Sequence, residues 1–467
     1  MASKNGLLPY TIEIVEDADT VTAHAGLPLV LETMRKLGVS ANLDAELGLR
    51  QRNNGATDSA KSESIVLLMV AGGDCISDID VLRADKGLQR LIGAELPTQE
   101  VIRTFLYGFH SDQLIDEAQR RRAPGEIAYI PAETSALQGL GRVSVALTHQ
   151  VARHMKLTTA TLDHDATIQE SHKREALPHY KGGRGYQPSV LYWIEADQII
   201  CDEYRDGNVP AAMENLPCIQ KGFSSLPAGI TTHFLRGDSA LYDQTVLKWL
   251  VNENRDHGPK GLIGFTISAD MSKQLRAACV ALPDDAWKLV EERANETVFA
   301  ADVELAPGDW PKDAKPLRYV AVKILGKQLD LNGEVRLKYL AVVSNRRDME
   351  AADLLTWHWQ KAGTIEHVHD VLKNELGCAP PCGRFGANAA WFRFARLTYN
   401  VLSAMKQLAL PPSMETARPK RLRFSLFSLA ARITSHAGSL VMKIGRAAEQ
   451  LADLAASRLR LAKLAVT

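Results

Sequence analysis

The spacing of apolar positions changes twice along the chain. Up to about residue 150 they recur at helical intervals, in "SESIVLLMVAGG", "SDIDVLRADKGLQRLIG" and "LPTQEVIRTFLYGF". In the last stretch Thr98, after Pro97, is the expected N-cap of a helix that carries Arg103. From about residue 157 the period shortens to two. "LTTATLDHDATIQE" alternates and is rich in Thr, which predicts a strand. A Gly-rich loop, "SHKREALPHYKGGRGYQP", follows, then "SVLYWIEADQIICDEYRDG", a hairpin turning near Ala196-Asp197. "AAMENLPCIQKGFSSL" predicts a helix, "THFLRGDSALYD" a strand ending in a turn, "QTVLKWLVNEN" a helix and "GLIGFTISA" a strand.

Residues 286–344 have the composition of β structure, and Asn332-Gly333 between two alternating runs marks a hairpin. The chain then turns helical again through "MEAADLLTWHWQ", "IEHVHDVLKNELG" and "NAAWFRFARLTYNVLSAMKQL". A proline break, "LPPSMETARPKRLR", precedes two expected C-terminal helices. This order predicts a mixed α/β protein in five parts. They are a helical region over 1–150, the first part of a core over 151–285, a β-rich insertion over 286–344, the second part of the core over 345–410, and C-terminal helices over 411–467. Short helices joined by turns in the first part suit a helix-turn-helix DNA-binding module, or equally a plain helical packing domain.

Composition narrows the partners. The chain has 467 residues, 46% hydrophobic and 24% charged, enough for several domains. Lys plus Arg and Asp plus Glu both number 55. That balance argues against a coat for nucleic acid but leaves room for a local basic groove. No apolar run approaches the ~18 residues of a membrane span. The start, "MASKNGLLPYTIEIVEDADT", has acids where a signal peptide needs an apolar core, so a cytoplasmic protein is expected. Six cysteines in so long a chain make no disulfide framework. Cys378 and Cys382, near His367 and His369, are too loosely spaced to predict a zinc site.

In "IEHVHDVLKNELG", Ile365, Val368, Leu372 and Leu376 form one apolar stripe, and Glu366, His369 and Lys373 run beside it. Glu366 and Lys373 are two turns apart, roughly 10.5 Å along the axis. The ordinary reading is a solvated flank. Asp163 and Asp165 share one face of their strand, because side chains alternate, and Asp238 stands at the end of a later strand. Singly, each reads as a turn or cap residue. Together, carboxylates at strand ends and a third on a covering helix can hold two Mg²⁺ ions, hard cations that prefer oxygen ligands. Basic residues gather at Lys173, Arg174, Lys181 and Arg184 in the Gly-rich loop, and most densely at Arg418, Lys420, Arg421 and Arg423. Both clusters suit phosphate contacts or solvated surface. Trp287 and Trp310 are expected to pack rather than to stack on a base.

The order of elements, with "DHDAT", "RGDSALYD" and "IE…H…LKNELG", resembles the DDE transposases of bacterial insertion sequences over about residues 60–450. It is most similar to the group with a β-rich insertion in a ribonuclease H-like core and a Tyr-x2-Arg-x3-Glu-x6-Lys signature. Glu366 and Lys373 match that Glu and Lys. Trp359 stands at the Tyr position and Ala362 at the Arg position, with Lys361 beside it. The resemblance implies Asp165, Asp238 and Glu366 as catalytic metal ligands, two Mg²⁺ ions with Mn²⁺ as substitute, and double-stranded DNA as partner. It also implies a homodimer on paired transposon ends. Asp165 is preferred through its D-x-T match with Thr167, and Asp163 stays as rival. Lys373, Lys361, Arg184, Lys181, Arg103, Arg418, Lys420, Arg421 and Arg423 are the candidate DNA contacts. A structure-specific nuclease without strand transfer, and a catalytically silent DNA-binding derivative, are the alternative functions.

Overall fold

The structure, a computed structural model, describes residues 18–50, 52–308, 310–311, 315–329, 335–445 and 448–465. Asn332-Gly333 lies outside the described residues. The chain divides into two compact units. One takes residues up to 110, 133–143 and those from 372 on; the other takes 111–132 and 144–371. These boundaries differ from the expected ones at 150 and 410, and the first unit joins segments from both ends of the sequence.

The second unit is built on a nine-stranded sheet. Its strands are β1 (Thr159–Ala166), β2 (Ser189–Trp193), β3 (Gln198–Glu203), β4 (Thr232–Gly237), β5 (Ile263–Ala269), β6 (Lys288–Glu292), β7 (Glu296–Leu305), β8 (Leu317–Leu329) and β9 (Val335–Ser344). The spatial order is β6-β7-β8-β9-β5-β4-β1-β2-β3. β1 pairs antiparallel with β2 and parallel with β4, and β4 pairs parallel with β5. β2 and β3 close the expected hairpin, with Asp197 at φ 47° in its turn. The β-rich segment forms no separate body: β9 pairs antiparallel with β5, so the insertion continues the core sheet.

Helices cover this sheet because its strands are apolar on both faces. Leu162, Leu191, Trp193, Leu235, Phe265 and Ile267 are buried with Ile219, Phe223, Leu247 and Leu250 of the helices Asn215–Ser224 and Gln244–Val251. Leu354 and Leu355 of the helix Ala351–Trp359 pack on Val298, Val320, Val322 and Val342. The result is a large mixed α/β sheet flanked by helices, the ribonuclease H-like arrangement. Trp287 and Trp310 are buried in it, as packing residues.

In the first unit, helices Pro28–Lys36, Asp58–Ala71 and Gln99–Tyr107 pack on the long helix Phe385–Leu408, which is buried along most of its length. Thr98 caps as expected, its hydroxyl accepting from the Val101 amide. The two expected C-terminal helices are corrected. One is the helix Ala448–Lys463; the other is replaced by a hairpin of Ala431–His436 and Ser439–Ile444, to which Val21–Thr22 adds a third strand. The reason is local. Ala437 and Gly438 turn with φ of 48° and 78°, the two positive values that a two-residue hairpin loop requires. No helix among the described residues is long and apolar enough to cross a membrane.

Candidate active site

β1 and β4 run parallel with Thr159 opposite Thr232 and Asp163 opposite Arg236. Side chains two residues apart share a face, so the same register carried two residues further sets Asp165 beside Asp238. Two layers result. In the lower one, Asp163 and Arg236 are fully buried and pair bidentately, Nε to Oδ1 at 2.7 Å and Nη2 to Oδ2 at 2.8 Å. In the upper one, Asp165 and Asp238 stand at the carboxyl ends of the strands, both partly exposed. The Ala166 amide donates to Asp165 Oδ1 at 2.9 Å. Asp238 caps the short turn Ser239–Leu241, its Oδ1 accepting from the Ala240 amide at 3.0 Å.

Glu366 comes from the first turn of the helix Ile365–Glu375 and is exposed. The stripe of Ile365, Val368 and Val371 is buried and docks that turn. Burial pushes the Asp165 carboxyl above its ordinary range. Lys361 opposes this, and the negative charges of Asp238 and Glu366 add to it. The three acids therefore share one electrostatic neighbourhood. The buried Lys361 ammonium lies 3.6 Å from Asp165 Oδ2, and His369 Nε2 lies 3.8 Å from the same oxygen. Ala362, at the Arg position of the signature, is exposed, and its neighbour Lys361 reaches Asp165. In the sequence His369 stands out only as one member of a stripe. Its spacing of three from Glu366 puts both on one helix face, which was the available signal.

Among the described residues no three His, Cys, Asp or Glu side chains are grouped so as to hold a metal ion as they stand. The donor chemistry of Asp165, Asp238 and Glu366 nevertheless fits a hard divalent cation. It consists of carboxylate oxygens alone, and their like charges already penalise ionisation of Asp165. Asp163 offers less, since Arg236 occupies both its oxygens.

The candidate DNA contacts fall into two groups. Lys181, Lys373, Lys420 and Arg421 are exposed. The Lys181 ammonium sits 5.8 Å from the exposed Tyr180 ring, on a three-stranded flap formed by residues 169–186. Other members are engaged within the fold. Arg184 donates to the carbonyls of Ala176 and Arg174, both at 2.7 Å, and so ties its own loop. Arg103 pairs with Glu100 at 2.5 Å, and Arg418 with the buried Glu375 at 2.5 Å. Arg423 donates to the carbonyls of Val70 at 2.6 Å and Met69 at 3.1 Å, satisfying the end of the helix Asp58–Ala71.

Among curated proteins none matches the sequence. The family model described as "Transposase DDE domain group 1" matches residues 8–466, nearly the whole chain. A mixed sheet that carries Asp165 and Asp238 at the carboxyl ends of adjacent parallel strands agrees with that match, and the chain belongs to the DDE transposase family.

Proposed function

We propose that this transposase cuts DNA at the ends of an insertion sequence and joins the freed ends to target DNA, with Asp165, Asp238 and Glu366 as the ligands of two Mg²⁺ ions. One observation supports the reading: Asp165 and Asp238 stand two residues beyond the paired Asp163 and Arg236 on adjacent parallel strands, while Asp163 is engaged by Arg236 beneath them. Held by these carboxylates, a pair of divalent cations supplies activation of the attacking oxygen and charge compensation at the scissile phosphate.

The protein's own residues set up the rest. Lys361 offsets the charge of Asp165 and favours its ionised form. Lys373, exposed two turns along the Glu366 helix, offers an ammonium to a DNA phosphate. Lys181 and Tyr180 present a cation and an aromatic face on the flap that follows Asp165. The chemistry is two in-line displacements at phosphorus. Water attacks the phosphodiester at the transposon end, breaking the P–O3′ bond and leaving a 3′-hydroxyl and a 5′-phosphate; that hydroxyl then attacks a target phosphodiester, forming a new P–O bond as the target strand's own 3′-oxygen leaves. Both transposon ends must be handled together, which favours a homodimer on DNA, in the cytoplasm.

The test is a paired-end substrate carrying the inverted repeats that flank the gene, incubated with Mg²⁺ and a target plasmid. Joined products support the transposase reading in full. Cleaved ends without joining support the nuclease alternative, and end binding without cleavage supports the silent one.

A further inference from the structure

Glu366 has no hydrogen-bond or ion-pair partner among the described residues, so its position is set by the helix that carries it. What fixes that helix is the turn before it. The Thr364 carbonyl accepts from the Val368 amide at 3.1 Å, opening the helix two residues ahead of Glu366. The Thr364 hydroxyl donates to Asp163 Oδ2, and Arg236 Nη2 approaches the same hydroxyl at 3.5 Å. Arg236 also donates through Nη1 to the Trp357 carbonyl at 2.7 Å, and its guanidinium lies 5.2 Å from the Trp357 ring centroid. One residue on, the buried His358 bonds Thr266 at 3.0 Å and Ser268 at 3.1 Å on β5. Burial pushes the His358 imidazole down to about 3, so it stays neutral and keeps these contacts at working pH.

We infer that Asp163, Arg236 and Thr364 are positioning residues that set the Glu366 carboxylate over the Asp165–Asp238 pair; this rests on the reading of those three acids as the metal site. The same strand pair carries both layers. Any shift of the turn relative to Asp163 and Arg236 is therefore a shift of Glu366 relative to Asp165 and Asp238. Metal ligands tolerate displacements of only about 0.5 Å, and loss of a group that orients a ligand typically weakens metal binding about 10–100-fold. Buried, paired and without free oxygens, Asp163 acts through the turn and not on substrate.

Thr364→Val removes the hydroxyl at nearly constant shape, and Thr364→Ser keeps it. Mn²⁺ is titrated into the full-length protein by calorimetry, with melting temperature and DNA-end affinity measured in parallel. Wild type and Glu366→Gln serve as references. The expected result is Mn²⁺ binding about tenfold or more weaker in Thr364→Val. Melting and DNA affinity should stay close to wild type, and binding should be restored in Thr364→Ser. Wild-type Mn²⁺ binding by Thr364→Val overturns the inference while leaving the metal reading intact. So does a loss that tracks a fall in melting temperature and is not rescued by Ser. Equal Mn²⁺ binding by wild type and Glu366→Gln overturns the metal reading, and the inference with it.

Discussion

Arg236 grips Asp163 through two hydrogen bonds, at 2.7 and 2.8 Å, and two residues further along the chain from each stands an acid, Asp238 and Asp165. The pairing divides two aspartates that look alike in "LDHDAT". It predicts opposite effects on stability. Asp163→Asn leaves a buried guanidinium without its counter-charge and should cost about 3–5 kcal/mol. Asp165→Asn removes a carboxylate that burial and its acidic neighbours disfavour, and should raise the metal-free melting temperature at pH 7.5. Urea and thermal unfolding in chelator compare the two. Equal destabilisation by both changes would contradict the layered arrangement.

Lys361, 3.6 Å from Asp165 Oδ2, opposes the raised pKa of that carboxyl. Lys361→Ala should let the Asp165 pKa rise further. The acid limb of the cleavage rate then moves to higher pH, because the ionised carboxylate is the ligand form. The rate at pH 7 should fall, and the fall should shrink as pH rises. Lys361→Arg should keep most of the effect. An unchanged pH profile in Lys361→Ala would return the residue to a packing role.

Burial pushes the Asp206 carboxyl from 3.8 up to about 7. The folded protein therefore holds a proton that the unfolded chain releases near 3.8. Stability falls as pH rises through the window from 3.8 to about 7 and levels off above it. Asp206→Asn, which cannot ionise, should melt higher than wild type at pH 8, with the gap closing as pH falls towards 4. A gap that is constant with pH would show that Asp206 does not titrate in this way.

The architecture of the first unit makes a prediction about fragments. Helices Pro28–Lys36, Asp58–Ala71 and Gln99–Tyr107 bury their faces on Phe385–Leu408, and Arg423 satisfies the end of Asp58–Ala71. Residues 1–150 expressed alone lack both, and should show no cooperative urea transition by circular dichroism. A sharp transition would mean that the N-terminal region is self-sufficient, as the sequence pattern first suggested.

The elements of the sheet were legible because they carry local signals. "LTTATLDHDAT" alternates, and "IEHVHDVLKNELG" shows a 3.6-residue stripe. The placement of β9 beside β5 carries no such signal, because which edge a strand joins is decided by tertiary packing. The C-terminal hairpin did carry one: Ala437-Gly438 sits between two alternating runs, and its basic and alanine-rich surroundings read as helix instead. At the site, the three acids stood out by type and by resemblance. The role of Arg236 did not, since an arginine in "FLRGD" reads as exposed until the register sets it opposite Asp163. Lys361 was visible only as the neighbour of an absent arginine.

In the proposed reaction Asp165, Asp238 and Glu366 act together in metal-dependent cleavage while Asp163 does not touch the substrate. Single-turnover cleavage of a pre-bound transposon end in Mg²⁺ tests it, with Asp165→Asn, Asp238→Asn and Glu366→Gln measured beside wild type. All three should lose cleavage and keep end binding, because affinity rests on phosphate and base contacts elsewhere. Full cleavage by any one of them, or loss of cleavage confined to Asp163→Asn in a protein that remains folded, would contradict the account.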